Sequence, residues 1–291
     1  MRKNIFLLGA LLAVSAATMA QTKQGGISAQ MLSQIEKMQK TSAADKALFN
    51  AIAANSIDDL VKNRSNAGPV DTHFSVETPA QRIHNQKSSG RCWMFSGMNV
   101  LRANFAKAHA DSLVVEFSQD YLFFYDQLEK ANLMLQGVID HARKSIEDPQ
   151  VQFFFKSPLN DGGTFCGVAD LAAKYGLVPM SAMPETYSSE NTNKMSRLVA
   201  SKLREYGLEL RRMAAAGKNA KQIAARKTEM LATVYHMLCL TLGEPVKEFS
   251  YAFRNKDGKQ MGEAKTYTPK SFYDATVGKE LNGTFIMVMN D

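Results

Sequence analysis

Asn85-Gln86-Lys87-Ser88-Ser89-Gly90-Arg91-Cys92-Trp93-Met94-Phe95-Ser96 joins a polar, glycine-containing turn to the start of an apolar run. Cys92, Phe95, Asn99, Ala103 and Ala106 fall on one face at helical spacing, with Met94, Met98 and Leu101 beside it. The pattern predicts a helix that opens at or next to Cys92. Unpaired N–H groups and partial positive charge at such a terminus favour a thiolate over a thiol. Arg91 is expected to add positive charge. The thiolate is the nucleophilic form of cysteine, so Cys92 is the candidate nucleophile. Gln86 lies across the turn. Its side-chain amide and the Cys92 backbone N–H are expected to form an oxyanion hole, two fixed donors aimed at developing negative charge.

The stretch resembles the papain-like cysteine peptidases, and within them the bleomycin hydrolase and aminopeptidase C family. Ordinary cathepsins carry Cys-Gly-Ser/Ala-Cys-Trp at this point. This chain has Ser89 for the first cysteine and Arg91 before the nucleophile, which is the bleomycin hydrolase pattern. Asp71-Thr72-His73-Phe74-Ser75 and Glu116-Phe117-Ser118-Gln119-Asp120-Tyr121-Leu122-Phe123-Phe124 are similar to family segments. Asn160-Asp161-Gly162-Gly163 resembles the glycine pair with which papain-like peptidases hydrogen-bond an extended substrate. The resemblance therefore assigns Gly162 and Gly163 to substrate binding, with Asp161 at the edge and Trp93 beside the nucleophile. The family continues with Gln-Trp-Asp, whereas this chain has Thr164-Phe165-Cys166. Cys166 is read as a buried small residue.

The 291 residues leave room for a large domain with a proper core, and 45% hydrophobic and 22% charged residues are ordinary for a globular protein. The net charge is +7. Cys92, Cys166 and Cys239 are too few for a disulfide framework, and an odd count leaves a free thiol. Residues 1–20 read as a secretory signal: Arg2 and Lys3, an apolar run from Ile5 to Val14, then Thr18-Met19-Ala20. Export to the periplasm or medium is the expectation, with no membrane association once the signal is removed. Family relatives are mostly cytoplasmic.

Residues 21–41 form a lead, and 42–291 are expected to be the papain-like domain. Short helices are predicted over Ile27–Lys40, Asp45–Ala54 and Ser56–Lys62, and a weak strand over Val70–Val76. Ser118 should cap an aromatic helix through Gln136. Val168–Tyr175 should be a helix stopped by Gly176. Residues 191–242 read as an inserted pair of long helices with an apolar stripe at Met195, Leu198, Val199, Leu203, Tyr206 and Leu210. Between Lys194 and Lys227 there are ten Lys or Arg against two acids. A solvated helix face and a basic surface for an acidic partner or nucleic acid both fit, though no aromatic interleaving supports base stacking. Phe249–Phe253 and Lys265–Tyr267 read as a hairpin, Thr268 as the cap of a short helix, and Phe285–Met289 as a strand.

A papain-like site also needs a histidine base and an orienting asparagine, roughly 130–150 residues after the cysteine in papain and the cathepsins. His236 falls in that window but sits in the second long helix, whereas the family's base follows a strand in the opposite lobe. His73 and His84 are read as structural, and His109, His141 and His236 as surface or packed. No Asn-Ser-Trp-Gly motif occurs. The expected fold is α+β: the papain-like helical lobe, the helical-pair insertion and the start of a second lobe. The expected function is a thiol aminopeptidase acting on peptides, without metal or cofactor, in a chain truncated before its base and inactive alone. The family also implies a homo-oligomer, a hexamer. The alternative is a non-catalytic binding module that uses the basic helical pair.

Overall fold

A computed structural model describes residues 26–281, apart from position 111 and scattered positions between 64 and 81. The proposed signal and the Phe285–Met289 strand lie outside the described residues. So does much of Val70–Val76, whose described members carry no strand. The chain divides into two compact units, Met1–Phe74 and Ser75–Asp291.

The first unit holds α1 (Ala29–Met38), α2 (Ala43–Ala54) and α3 (Ile57–Leu60). Ser28 caps α1 by accepting from the Met31 N–H. Ser42 and Asp45 form a reciprocal capping box on α2. Ser56 precedes α3 without a side-chain cap. No residue of these helices is buried within the described structure.

The second unit is built on α4 (Cys92–Ala108) and α5 (Gln119–Asp140). Ser118 caps α5 through the Tyr121 N–H, as its sequence requires, and the helix runs one turn past Gln136. Its aromatic stripe is core: Tyr121, Leu122, Phe123 and Phe124 are all buried. Around α5 pack α4, α6 (Pro149–Lys156), α7 (Phe165–Tyr175), and, after the single turn α8 (Tyr187–Glu190), the long pair α9 (Thr192–Ala215) and α10 (Ala220–Leu242). Met195, Val199, Leu203, Tyr206 and Leu210 of α9 and Ile223, Met230, Val234, Leu238 and Leu242 of α10 bury one stripe each. Leu198, expected in that stripe, is 51% exposed because it falls on the outer flank of α9.

Strands β1 (Phe249–Tyr251) and β2 (Lys265–Tyr267) pair antiparallel, with Ser250 opposite Thr266. A two-stranded ribbon is marginal alone. This one leans on Phe272 of α11 (Pro269–Thr276), whose ring meets Phe249, Tyr251, Phe253 and Tyr267 at centroid distances of 5.2–6.0 Å. Thr268 caps α11, and the described chain ends in α12 (Gly278–Leu281).

The basic residues of the long pair are used in a way the sequence does not reveal. Arg204 donates to the Phe155 and Lys156 carbonyls at the end of α6, at 2.8 and 3.1 Å. Arg211 donates to the carbonyls of His141 and Lys144, just past the end of α5. The Phe155 and Lys156 carbonyls are orphans of a helix C-terminus, where cations are favoured, and those of His141 and Lys144 belong to the turn that follows α5. Arg226 binds Glu209 and Glu229.

Gly176 ends α7 at φ +83, in the left-handed region, and its N–H returns to the Ala172 carbonyl. A Cβ there would lie 2.3 Å from the Pro269 carbonyl carbon and oxygen, against backbone that cannot swing away. The next N–H, of Leu177, donates to that same Pro269 oxygen. Gly176→Ala is therefore expected to cost about 1–3 kcal/mol or more, from strained φ plus the clash. Chemical denaturation of the purified variant beside wild type measures it, and unchanged stability would show that α11 is not held this closely.

Candidate active site

Cys92 is the first residue of α4 and is solvent-exposed. It stands at a helix start because the preceding turn is stitched together internally. The Asn85 side chain accepts from the Lys87 N–H at 2.8 Å, which holds Lys87 at φ +55. The Gln86 Nε2 donates to the Ser89 carbonyl at 2.6 Å, and the Ser89 hydroxyl donates back to the Gln86 carbonyl at 2.7 Å. Gln86 thus crosses the turn toward the nucleophile's end, with one N–H spent on Ser89 and a second available, since an amide carries two.

Arg91 does not serve as the positive charge expected beside the thiol. It is completely buried, and its guanidinium makes a two-pronged pair with Glu185 at 3.1 and 2.8 Å. Phe95 and Phe123 cover it at 5.1 and 5.2 Å from their ring centroids. Its charge is matched by Glu185, so its contribution to Cys92 is position: it fixes the residue before the helix to the α5 core.

Asp161, expected at the edge of the substrate surface, is also a tie within the framework. Its carboxylate accepts from the Gly90 N–H at 2.9 Å and from the Thr192 hydroxyl. Its carbonyl accepts from the Trp93 Nε1 at 2.6 Å. One residue therefore joins the turn, the nucleophile's neighbour and the start of α9. Gly162 and Gly163 are exposed. A Cβ on Gly163 would meet the Trp93 ring at 2.6 Å, so the second glycine is required for the indole to lie where it does. Cys166, expected to be buried, is exposed in the first turn of α7. The helix starts three residues earlier than the sequence pattern suggests, and Val168 and Ala169 take the inward positions instead.

Lys130 was not singled out by the sequence. Its ammonium binds the Asp126 carboxylate at 2.7 Å and the carbonyls of Asn160 and Gly162 at 2.9 and 2.7 Å, and it lies 5.6 Å from the Trp93 ring centroid. A lysine four residues after an aspartate, on a helix whose other face is aromatic core, was the available signal.

The histidines are accounted for elsewhere. The His84 Nδ1 accepts from Arg102 at 2.9 Å, and its Nε2 lies 2.7 Å from the Glu116 carboxylate. Burial holds His84 below its ordinary value; Glu116 opposes this and Arg102 reinforces it. His109 and His141 follow the ends of α4 and α5, each with Nδ1 2.8 Å from a carbonyl one turn back. His236 is on the exposed face of α10, and His73 belongs to the first unit.

An exposed cysteine opening a core helix, an amide-bearing turn before it and a glycine against the tryptophan that follows it are the arrangement of the papain-like cysteine peptidase fold. The chain belongs to the Peptidase C1-like family, whose model matches residues 26–291. It is 37% identical over 241 residues to an aminopeptidase C of Lactobacillus delbrueckii subsp. lactis, covering 83% of this chain and 53% of that relative. Bleomycin hydrolase of Homo sapiens is 37% identical over 201 residues, 68% of this chain and 44% of the human protein. The crystal structure of PepW from Lactobacillus rhamnosis HN001 superposes with a TM-score of 0.78 at 33% identity, covering 87% of this chain and 56% of PepW. The chain spans about half the length of the curated relatives it matches.

One buried group beside the Arg91 pair has no hydrogen-bond partner among the described residues. Both oxygens of Asp120 are buried and unmatched. Burial pushes its carboxyl up from 3.8 to about 8, Glu185 adds to this and Arg91 works against it. A carboxyl raised on folding leaves stability intact below pH 3.8 and erodes it as pH climbs toward 8, because the unfolded chain releases the proton first. Asp120→Asn keeps the shape without the ionisation. Its melting temperature should exceed wild type by a margin that widens from pH 4 to pH 8; a constant margin would mean that Asp120 is not a buried neutral acid. Glu185→Ala strands the Arg91 cation and should cost about 3–5 kcal/mol, read from urea unfolding at neutral pH.

Proposed function

We propose that the chain carries the nucleophile half of a thiol aminopeptidase site. The observation that carries this is Cys92, exposed at the first position of a buried helix behind a turn that presents Gln86. The Cys92 thiolate attacks the peptide carbonyl. The Cys92 backbone N–H and the free N–H of Gln86 receive the oxyanion. Gly162, Gly163 and Trp93 provide the backbone and ring surface along which an extended peptide lies, and Asp161 acts as a positioning residue through Gly90 and Trp93. A proton donor is needed for the departing amine as the C–N bond breaks, and water then hydrolyses the thioester left on Cys92, releasing the acid and restoring the thiol. His84, His109 and His141 are occupied elsewhere, so we place the histidine base outside these 291 residues and propose that the chain alone does not turn over peptides. The names of the relatives, aminopeptidase C among them, support hydrolysis from the amino terminus. The binding-module reading loses support because Arg204, Arg211 and Arg226 are spent on carbonyls and carboxylates within the fold.

In a catalytically complete protein, Cys92→Ser should abolish aminopeptidase turnover and Gln86→Ala should lower kcat by about 10²–10³. Wild-type rates in the first, or an effect confined to KM in the second, would overturn the assignments. The 291-residue chain should show no turnover on aminoacyl fluorogenic substrates. Turnover that disappears in His236→Ala would return the base to α10.

A further inference from the structure

Alongside the turn that precedes Cys92 is an open cavity of about 620 Å³. Its walls come from three separate stretches: Lys87–Gly90 of the turn, the segment from Lys156 to Asp161, and the first turns of α9. Four cations line it, Lys87, Lys156, Arg197 and Arg204, against one carboxylate, Asp161. That carboxylate is already satisfied by Gly90 and Thr192 and forms part of the wall. Arg204 is fixed by the end of α6 but keeps its charge. Lys87, Lys156 and Arg197 form no ion pair with a carboxylate among the described residues.

Two further facts separate this cavity from an ordinary basic surface. It shares Gly90 and Asp161 with the framework that sets the Trp93 ring, and Gly90 stands two residues before Cys92. Lys87 sits at φ +55, where a glycine would be the unstrained choice. The cavity's volume is that of a pocket for an amino-acid side chain or a short peptide segment rather than for a small inorganic ion. Charges of one sign around a concavity raise the local concentration of the opposite ion.

We propose that this cavity receives the carboxylate of an acidic residue close to the scissile bond, making acidic peptides the preferred substrates. Lys87 and Arg197 are the groups that read the carboxylate, Arg197 through paired guanidinium donors and Lys87 as a point charge on the turn. Lys156 and Arg204 set the field. The proposal rests on the thiol peptidase reading of Cys92 for its substrate, but its test does not require turnover.

Trp93 is the chain's single tryptophan and donates to the Asp161 carbonyl, so its fluorescence reports on this wall. The test titrates the 291-residue chain carrying Cys92→Ala with short peptides that differ only by Glu or Gln at one position. At low ionic strength, one Glu peptide should bind about tenfold more tightly than its Gln partner. The preference should shrink as salt is raised toward 0.5 M and vanish in the Lys87→Gln, Arg197→Gln double variant, whose folding is checked by circular dichroism. Equal binding of Glu and Gln peptides at every position, no binding of either, or a preference that survives in the double variant each overturn the proposal. Iodoacetamide labelling of the wild-type chain, read by mass spectrometry, tests the underlying reading separately. Cys92 labelled faster than Cys166, which is also exposed, with no Glu preference sinks the cavity and leaves the peptidase. A Glu preference with Cys92 no faster than Cys166 sinks the thiolate reading and keeps the cavity as a carboxylate site.

Discussion

The Arg91–Glu185 pair is the contact on which the candidate site depends. Arg91 immediately precedes Cys92, and its side chain is wholly enclosed by Phe95, Phe123 and Glu185. Taking both charges out of water is costly, and the cost is recovered only where geometry is good and remaining donors are met. Here Glu185 also accepts from the Ser189 hydroxyl at 2.6 Å, and the Arg91 Nε donates to the Ser89 hydroxyl at 3.1 Å. The network runs from the segment before α8, through the core, to the turn bearing Gln86. A helix start that would otherwise fray is thereby set by a fixed ionic anchor.

A second set of restraints closes the other side. Lys130 and Gln127 reach from α5 to the Asn160 carbonyl, and Asp161 reaches onward to Gly90, Trp93 and Thr192. The irregular backbone flanking Cys92 is therefore held by side chains of the central helix, not by a sheet. Loops that carry function need such support, because their own backbone makes few regular hydrogen bonds. The long pair α9–α10 contributes through the same logic, with Thr192 at its start on Asp161 and Arg204 and Arg211 closing the ends of α6 and α5.

Much of this was legible in the sequence. Ser118, Gly176 and Thr268 announced helix ends through chemistry local to a few residues, and the structure places ends there. The stripes of α9 and α10 and the aromatic face of α5 followed from periodicity. Cys92 at a helix start followed from the change of composition at Gly90. What failed was the partner of each charge. The sequence suggested charge near the thiol for Arg91, an edge of the substrate surface for Asp161, and for the basic run of the long pair a solvated face or a surface for an acidic partner or nucleic acid; it was silent on what each group binds within the fold. Each meets groups 31 to 94 positions away, and no local pattern encodes such a distance. Cys166 failed for a smaller reason: one helix began a turn early and rotated its first residues outward.

The indole of Trp93 rests against Gly163 and Gly167, where a Cβ would come within 2.6 and 3.3 Å of the ring. Three positions in two separate segments therefore form one unit of inheritance. While the tryptophan is present, any side chain at position 163 collides with it, so the glycine cannot drift. If the ring were first replaced by something smaller, that prohibition would lift and the vacated space would reward a larger neighbour. The order in which such changes occur decides whether they are tolerated, so the chemistry beside the nucleophile constrains which evolutionary paths this loop can follow.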